Sequence, residues 1–91
     1  MLFRTGDIGV TRGLYAAMQK DPRTEAAVIE SVKNYTAGKW GELPAEDQAA
    51  NDAALKSGSR LIGKYQTPAG PIYIITEADR RHTTVLFCDE Y

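Results

Sequence analysis

Apolar positions along this chain recur at helical spacing up to Gly58 and at a spacing of two from Arg60 onward. Thr11 stands where an N-cap belongs, ahead of Leu14, Ala17 and Met18, and predicts a short helix over about residues 12–20. Asp21-Pro22 is the clearest helix start. The aspartate can accept a backbone N–H, and the proline suits a first helical position because its missing N–H has no partner there anyway. Val28, Val32 and Tyr35 follow at i, i+4 and i+7 with Ile29 beside them, and Gly38 and Gly41 bracket Trp40 and end the segment. A third helix is expected from about Pro44 to Lys56. Glu46 and Asp47 lie in its first turn, where the helix dipole favours acids, and Gly58 sits at C′. Ala50, Ala54 and Leu55 form its narrow apolar stripe.

Leu61, Gly63 and Tyr65 then alternate with Ile62, Lys64 and Gln66, and Thr67-Pro68-Ala69-Gly70 is a turn sequence. Pro71 to Thr76 reads as a central strand, Glu77 to His82 as a polar loop, and Thr83 to Cys88 as a third strand with Thr83, Val85 and Phe87 on one face. Ahead of the helices, residues 2–10 alternate weakly, with Ile8 and Val10 on one side and a Gly6-Asp7 turn, as in a strand or hairpin-like arm. The expected architecture is a single α+β domain over residues 1–91. It has an N-terminal strand or arm, three helices, and a three-stranded antiparallel β-meander with the helices packed on one face. Val32, Tyr35, Leu55, Leu61, Ile74, Val85 and Phe87 are its expected core.

Composition narrows the function classes. A chain of 91 residues has room for one core. The net charge of -1 gives no global attraction to nucleic acid or anionic lipid. The charge is uneven, positive over residues 1–40 and acidic over 41–58, and such runs commonly mark solvated faces. Cys88 is the only cysteine, which excludes an intrachain disulfide and points to a reducing, cytoplasmic setting. The N-terminus lacks a signal-peptide core and the longest apolar runs are far below a membrane span, so a soluble protein is expected.

Candidate chemistry concentrates in the Glu77–His82 loop, where Glu77, Asp79, Arg80, Arg81 and the only histidine, His82, lie together. An acid–base or nuclease role needs these groups to converge, whereas the plain alternative is a solvated loop. Arg80-Arg81-His82 with Lys64 and nearby tyrosines also resembles a grip for single-stranded nucleic acid, although Glu77 and Asp79 partly neutralise it and no RNA- or DNA-binding signature is present. Trp40 is either an exposed anchor for a partner or the roof of the core. Metal-ligand spacings, phosphate-binding loops and cofactor motifs are missing, so no metal or cofactor is expected.

Leu61-Ile62-Gly63-Lys64-Tyr65, Ile75-Thr76-Glu77-Ala78-Asp79-Arg80, Thr83-Thr84-Val85-Leu86 and Asp89-Glu90-Tyr91, with Lys39-Trp40-Gly41-Glu42-Leu43 and the helix around Asn51, carry a family resemblance. Together they resemble a family of small uncharacterised bacterial plasmid-related proteins, found on plasmids and other mobile elements. Phe87-Cys88 departs from the Leu-Pro of that pattern. The resemblance implies an accessory role exercised by binding a macromolecule. The leading expectation is a non-enzymatic protein-interaction module that inhibits a host defence complex of the antirestriction or anti-CRISPR type. Its partner is expected to be a protein, with a homodimer also open. The alternative is a small nuclease-like toxin or a single-strand nucleic-acid-binding accessory protein.

Overall fold

A computed structural model describes residues 1–91. In chain order it contains β1 (Asp7–Val10), α1 (Arg12–Lys20), α2 (Pro22–Thr36), α3 (Ala45–Ser57), β2 (Leu61–Thr67), β3 (Gly70–Thr76) and β4 (His82–Phe87), then a 3-10 turn over Cys88–Glu90. The helix signals act as their chemistry dictates. The Thr11 hydroxyl accepts from the Leu14 N–H, Asp21 Oδ1 accepts from the Arg23 N–H at 2.9 Å, and Gly58 takes the left-handed conformation (φ 77°) after α3.

The sheet corrects the expected topology. It is a four-stranded mixed sheet in the order β1-β4-β3-β2, not a three-stranded antiparallel meander with a separate arm. β2, β3 and β4 pair antiparallel, and β1 adds to β4 in parallel, with Ile8 beside Thr83 and Val10 beside Val85. The physical reason lies ahead of β1. Gly6 has a positive φ of 62°, and a Cβ there would overlap the Arg81 carbonyl, so only glycine lets the backbone pass this close to the start of β4. The chain is then held from inside by a line of buried hydroxyls. Thr83 donates to the Thr5 carbonyl at 2.7 Å and accepts from Thr76 at 2.7 Å, and Thr76 accepts from the Tyr35 phenol at 2.7 Å. Burial pushes the Tyr35 phenol up to about 12, which keeps it a donor.

The core lies between the sheet and α1 and α2, with α3 running along the β2 edge. Leu14, Tyr35, Leu61, Ile72, Ile74 and Val85 are fully enclosed. Of the expected core, Tyr35, Leu61, Ile74 and Val85 are buried, whereas Val32, Leu55 and Phe87 are half-buried and pack around its margin. Cys88, expected within the last strand, instead opens the 3-10 turn. That turn is tied back by Glu90, whose Oε1 accepts from the Phe87 N–H and from the Thr11 hydroxyl, each at 2.8 Å. No helix is long and apolar enough to cross a membrane.

Candidate functional site

The Glu77–His82 loop is a tight connection between β3 and β4, closed by Glu77 N–H to the His82 carbonyl at 3.1 Å and Arg80 N–H to the Glu77 carbonyl at 2.9 Å. Its charged groups diverge. Asp79 Oδ1 accepts from the Arg81 N–H at 3.0 Å, an Asx turn, and Glu77 lies 3.7 Å from Arg60. Arg80 folds back under the loop. Its guanidinium donates to the carbonyls of Ser59 at 2.7 Å, Glu77 at 3.2 Å and Ala54 at 3.2 Å. A cation on the last-turn carbonyl of α3 also complements that helix's dipole. Arg80 has a φ of 60°, unusual for a residue with a Cβ, and these three bonds compensate for it. Arg81 and His82 are exposed, and neither surface depression of the molecule is lined by any residue of this loop.

Trp40 is not an exposed anchor. It is 2% exposed, donates its indole N–H to Asp52 at 3.0 Å, and packs on the rings of Phe3 and Tyr35 with centroids 6.1 and 5.6 Å away. It roofs the core, as its alternative reading held.

Strand alternation defines a second face of the sheet. Because Leu61, Ile72, Ile74 and Val85 point to the core, Ile62, Lys64, Tyr73, Ile75, Thr84 and Leu86 point away from it. No α-helix covers this side, yet Ile75 and Leu86 on it are buried and Ile62 and Tyr73 are half-buried. Tyr91 turns back over it, its ring edge-on to Tyr73 at 5.5 Å and beneath the Arg60 guanidinium at 5.5 Å. Cys88 borders the same surface. Burial, the largest influence, pushes its thiol up despite nearby Lys64 and a hydrogen bond with Tyr73, so it stays protonated and is a poor nucleophile. Beside this face, α3 and the start of β2 flank an open groove of about 430 Å³ lined by Asp47, Ala50, Asn51, Ser57, Arg60 and Ile62. Asn51 is committed at its base: its amide donates to the Ile62 carbonyl at 2.6 Å and accepts from the Ile62 N–H at 3.3 Å.

The sequence reading missed Tyr73, Tyr91 and Ile62. For Tyr73 the signal was the unbroken run Ile72–Ile75, since apolar residues at both parities of a strand mark two faces that avoid water. No protein-family model, curated protein or solved structure matches this chain.

Proposed function

We propose that the chain is a non-enzymatic protein-interaction module that engages a protein partner through the helix-free face of its sheet, with Arg81 and His82 at the rim. The observation that carries this reading is the make-up of that face. Tyr91 is exposed on it and Tyr73 and Ile62 are half-exposed, above the buried Ile75 and Leu86, and Arg60, Lys64, Glu77 and Asp89 surround them with charges of both signs. An apolar, aromatic centre within a mixed polar rim is the anatomy of a protein interface. The nucleic-acid alternative is weakened because Arg80 is taken up by three carbonyls and Arg60 faces Glu77, leaving few free cations against the nearby acids. The toxin alternative needs converging groups, and those of the loop turn to separate partners.

The narrower reading, an inhibitor of a host defence complex carried by a mobile element, rests on the sequence resemblance alone. It is tested by phage plating on bacteria that carry a defined restriction or CRISPR system, with and without this protein. Expression should raise plaque counts against one such system. Tyr91→Ala combined with Lys64→Glu should abolish the effect while leaving the thermal melt close to wild type. Unchanged plaque counts against every system tested would remove the anti-defence reading. Tight binding of a labelled single-stranded oligonucleotide, lost in the same variant, would favour the nucleic-acid alternative.

A further inference from the structure

One edge of the sheet is unfinished. Asp7 donates its N–H to the Arg81 carbonyl at 3.0 Å and Thr11 to the Val85 carbonyl at 3.1 Å. In a parallel ladder bonding residues alternate along the strand, so Ile8 and Val10 direct their N–H and C=O groups outward. No backbone group of the chain meets them there. The Ile8 side chain on this edge is 47% exposed. Gly9, between them, has no internal reason to be glycine. Its φ is not positive, and a Cβ built on it meets nothing within 4 Å. Glycine within a strand weakens it, and a common reason to keep one is the close approach of another backbone.

We propose that the β1 edge is a self-association surface, on which two copies of this chain pair their β1 strands antiparallel about a twofold axis at Gly9. This inference is independent of the reading of the helix-free face. In this register Ile8 exchanges N–H and C=O bonds with Val10 of the second copy, and Val10 does so with its Ile8, so every outward group on the strand is used. The two Gly9 residues face each other as a non-hydrogen-bonded pair, the closest approach in an antiparallel ladder at about 4.5 Å between Cα atoms. Ile8 gains a β-branched cross-strand neighbour, which favours pairing. Asp7 comes opposite Thr11 of the copy. Arg12 follows that threonine and Glu90 accepts from its hydroxyl, so charges of both signs meet at each end. Any extended peptide could pair with an open edge, but a second copy matches it by symmetry: the outward groups of its Ile8 and Val10 meet those of this strand about Gly9 and none is left over. Isologous pairing of this kind closes on itself and hides both edges.

Analytical ultracentrifugation of the full chain from about 10 µM to about 1 mM covers the range expected of so small an interface. The dimer fraction should rise with concentration. Gly9→Lys, whose side chain enters open space in the monomer, sets like charges across the axis and should weaken association at least about tenfold. Ile8→Pro removes an outward donor while leaving the ladder to β4 intact, and should act in the same direction. Gly9→Cys in a Cys88→Ser background should form a disulfide-linked dimer under mild oxidation. A monomer throughout the range, or a dimer indifferent to Gly9→Lys and Ile8→Pro, would overturn the proposal. Should Ile8→Pro fail to fold, Gly9→Lys and Gly9→Cys decide. A monomer that captures another protein through this edge, and loses it in Ile8→Pro, would assign the edge to that partner and overturn self-pairing.

Discussion

Along β2, the outward groups of Ile62 and Lys64 are all met from within the chain. Asn51 takes both backbone groups of Ile62, while the Trp40 carbonyl and the Glu42 N–H take those of Lys64. Along β1, at the other end of the same sheet, Ile8 and Val10 meet nothing. An open edge invites pairing with other chains, and proteins usually cover it. Here one edge is closed by a side chain that imitates a strand and by the Lys39–Glu42 crossing, so the openness of the other is not a general feature of a small fold. The difference teaches where this molecule is self-sufficient and where it can accept something more.

The largest expected effect comes from opening the closed edge. Asn51→Ala leaves the N–H and C=O of Ile62 without partners beside α3, and a buried unsatisfied group costs about 1–3 kcal/mol. The variant should lose about 2–4 kcal/mol in urea denaturation. A loss below about 0.5 kcal/mol would show that water replaces Asn51 without penalty, and that the two edges differ less than their hydrogen bonds indicate.

The next effect tests how β1 is held from inside. Tyr35 heads the hydroxyl line to Thr5, and Tyr35→Phe should cost about 1–2 kcal/mol at neutral pH. The line also has a pH signature. The folded phenol titrates at about 12 against an ordinary value of 10.0, so the folded state holds the proton more tightly. Stability is therefore unaffected below about pH 10 and falls as pH rises through the window from 10 to 12. Two pH units correspond to about 2–3 kcal/mol. Tyr65, whose phenol burial also raises, adds to the loss above pH 10. Tyr35→Phe should flatten the pH dependence of the melting temperature in that window; an unchanged slope would assign it to Tyr65.

Equal to that or smaller are the effects expected in the loop. Arg80→Ala removes the cation from the carbonyls of Ala54, Ser59 and Glu77, and should cost about 1–2 kcal/mol. Asp79→Ala should cost about 0.5–1 kcal/mol through loss of its Asx turn. Arg81→Ala and His82→Ala should stay within about 0.5 kcal/mol, as exposed side chains do. This gradient divides the charged cluster into residues that build the loop and residues left free for contact. Equal losses at all four positions would erase that division.

What was legible in the sequence follows the range of the interactions. Asp21-Pro22, Gly58 and the change of period after Gly58 specify local geometry through groups a few residues apart, and the three helices lie where those signals place them. The parallel pairing of β1 with β4 joins the two ends of the chain without a turn, and nothing near Ile8 names Thr83 as its neighbour. The loop residues were legible as a charged cluster, but not in their directions. An arginine in a turn reads as solvated, and only the approach of the α3 end makes folding back to three carbonyls possible. Trp40 was legible in its plainer sense, a lone aromatic between two helices. Tyr91 was out of reach, because its position depends on the 3-10 turn that Glu90 ties to Thr11.

A further small effect returns to the open edge and carries the opposite sign. Gly9→Val adds a β-branched side chain to a strand position with vacant space and an ordinary φ. Within a monomer this should raise stability by about 0.5–1 kcal/mol, since valine restricts the unfolded chain and suits a strand better than glycine does. A dimer paired at Gly9 changes the arithmetic, because two valines then stand opposite each other at the closest point of the ladder. If they pack, the gain grows with protein concentration; if they crowd, it shrinks as concentration rises and the pairing weakens. Thermal melts of wild type and Gly9→Val at a low and a high protein concentration separate these cases. A concentration-independent gain means β1 ends the sheet as a free edge. A destabilised variant at every concentration would mean that something within the chain does require glycine there, which would remove the main reason to look outside it.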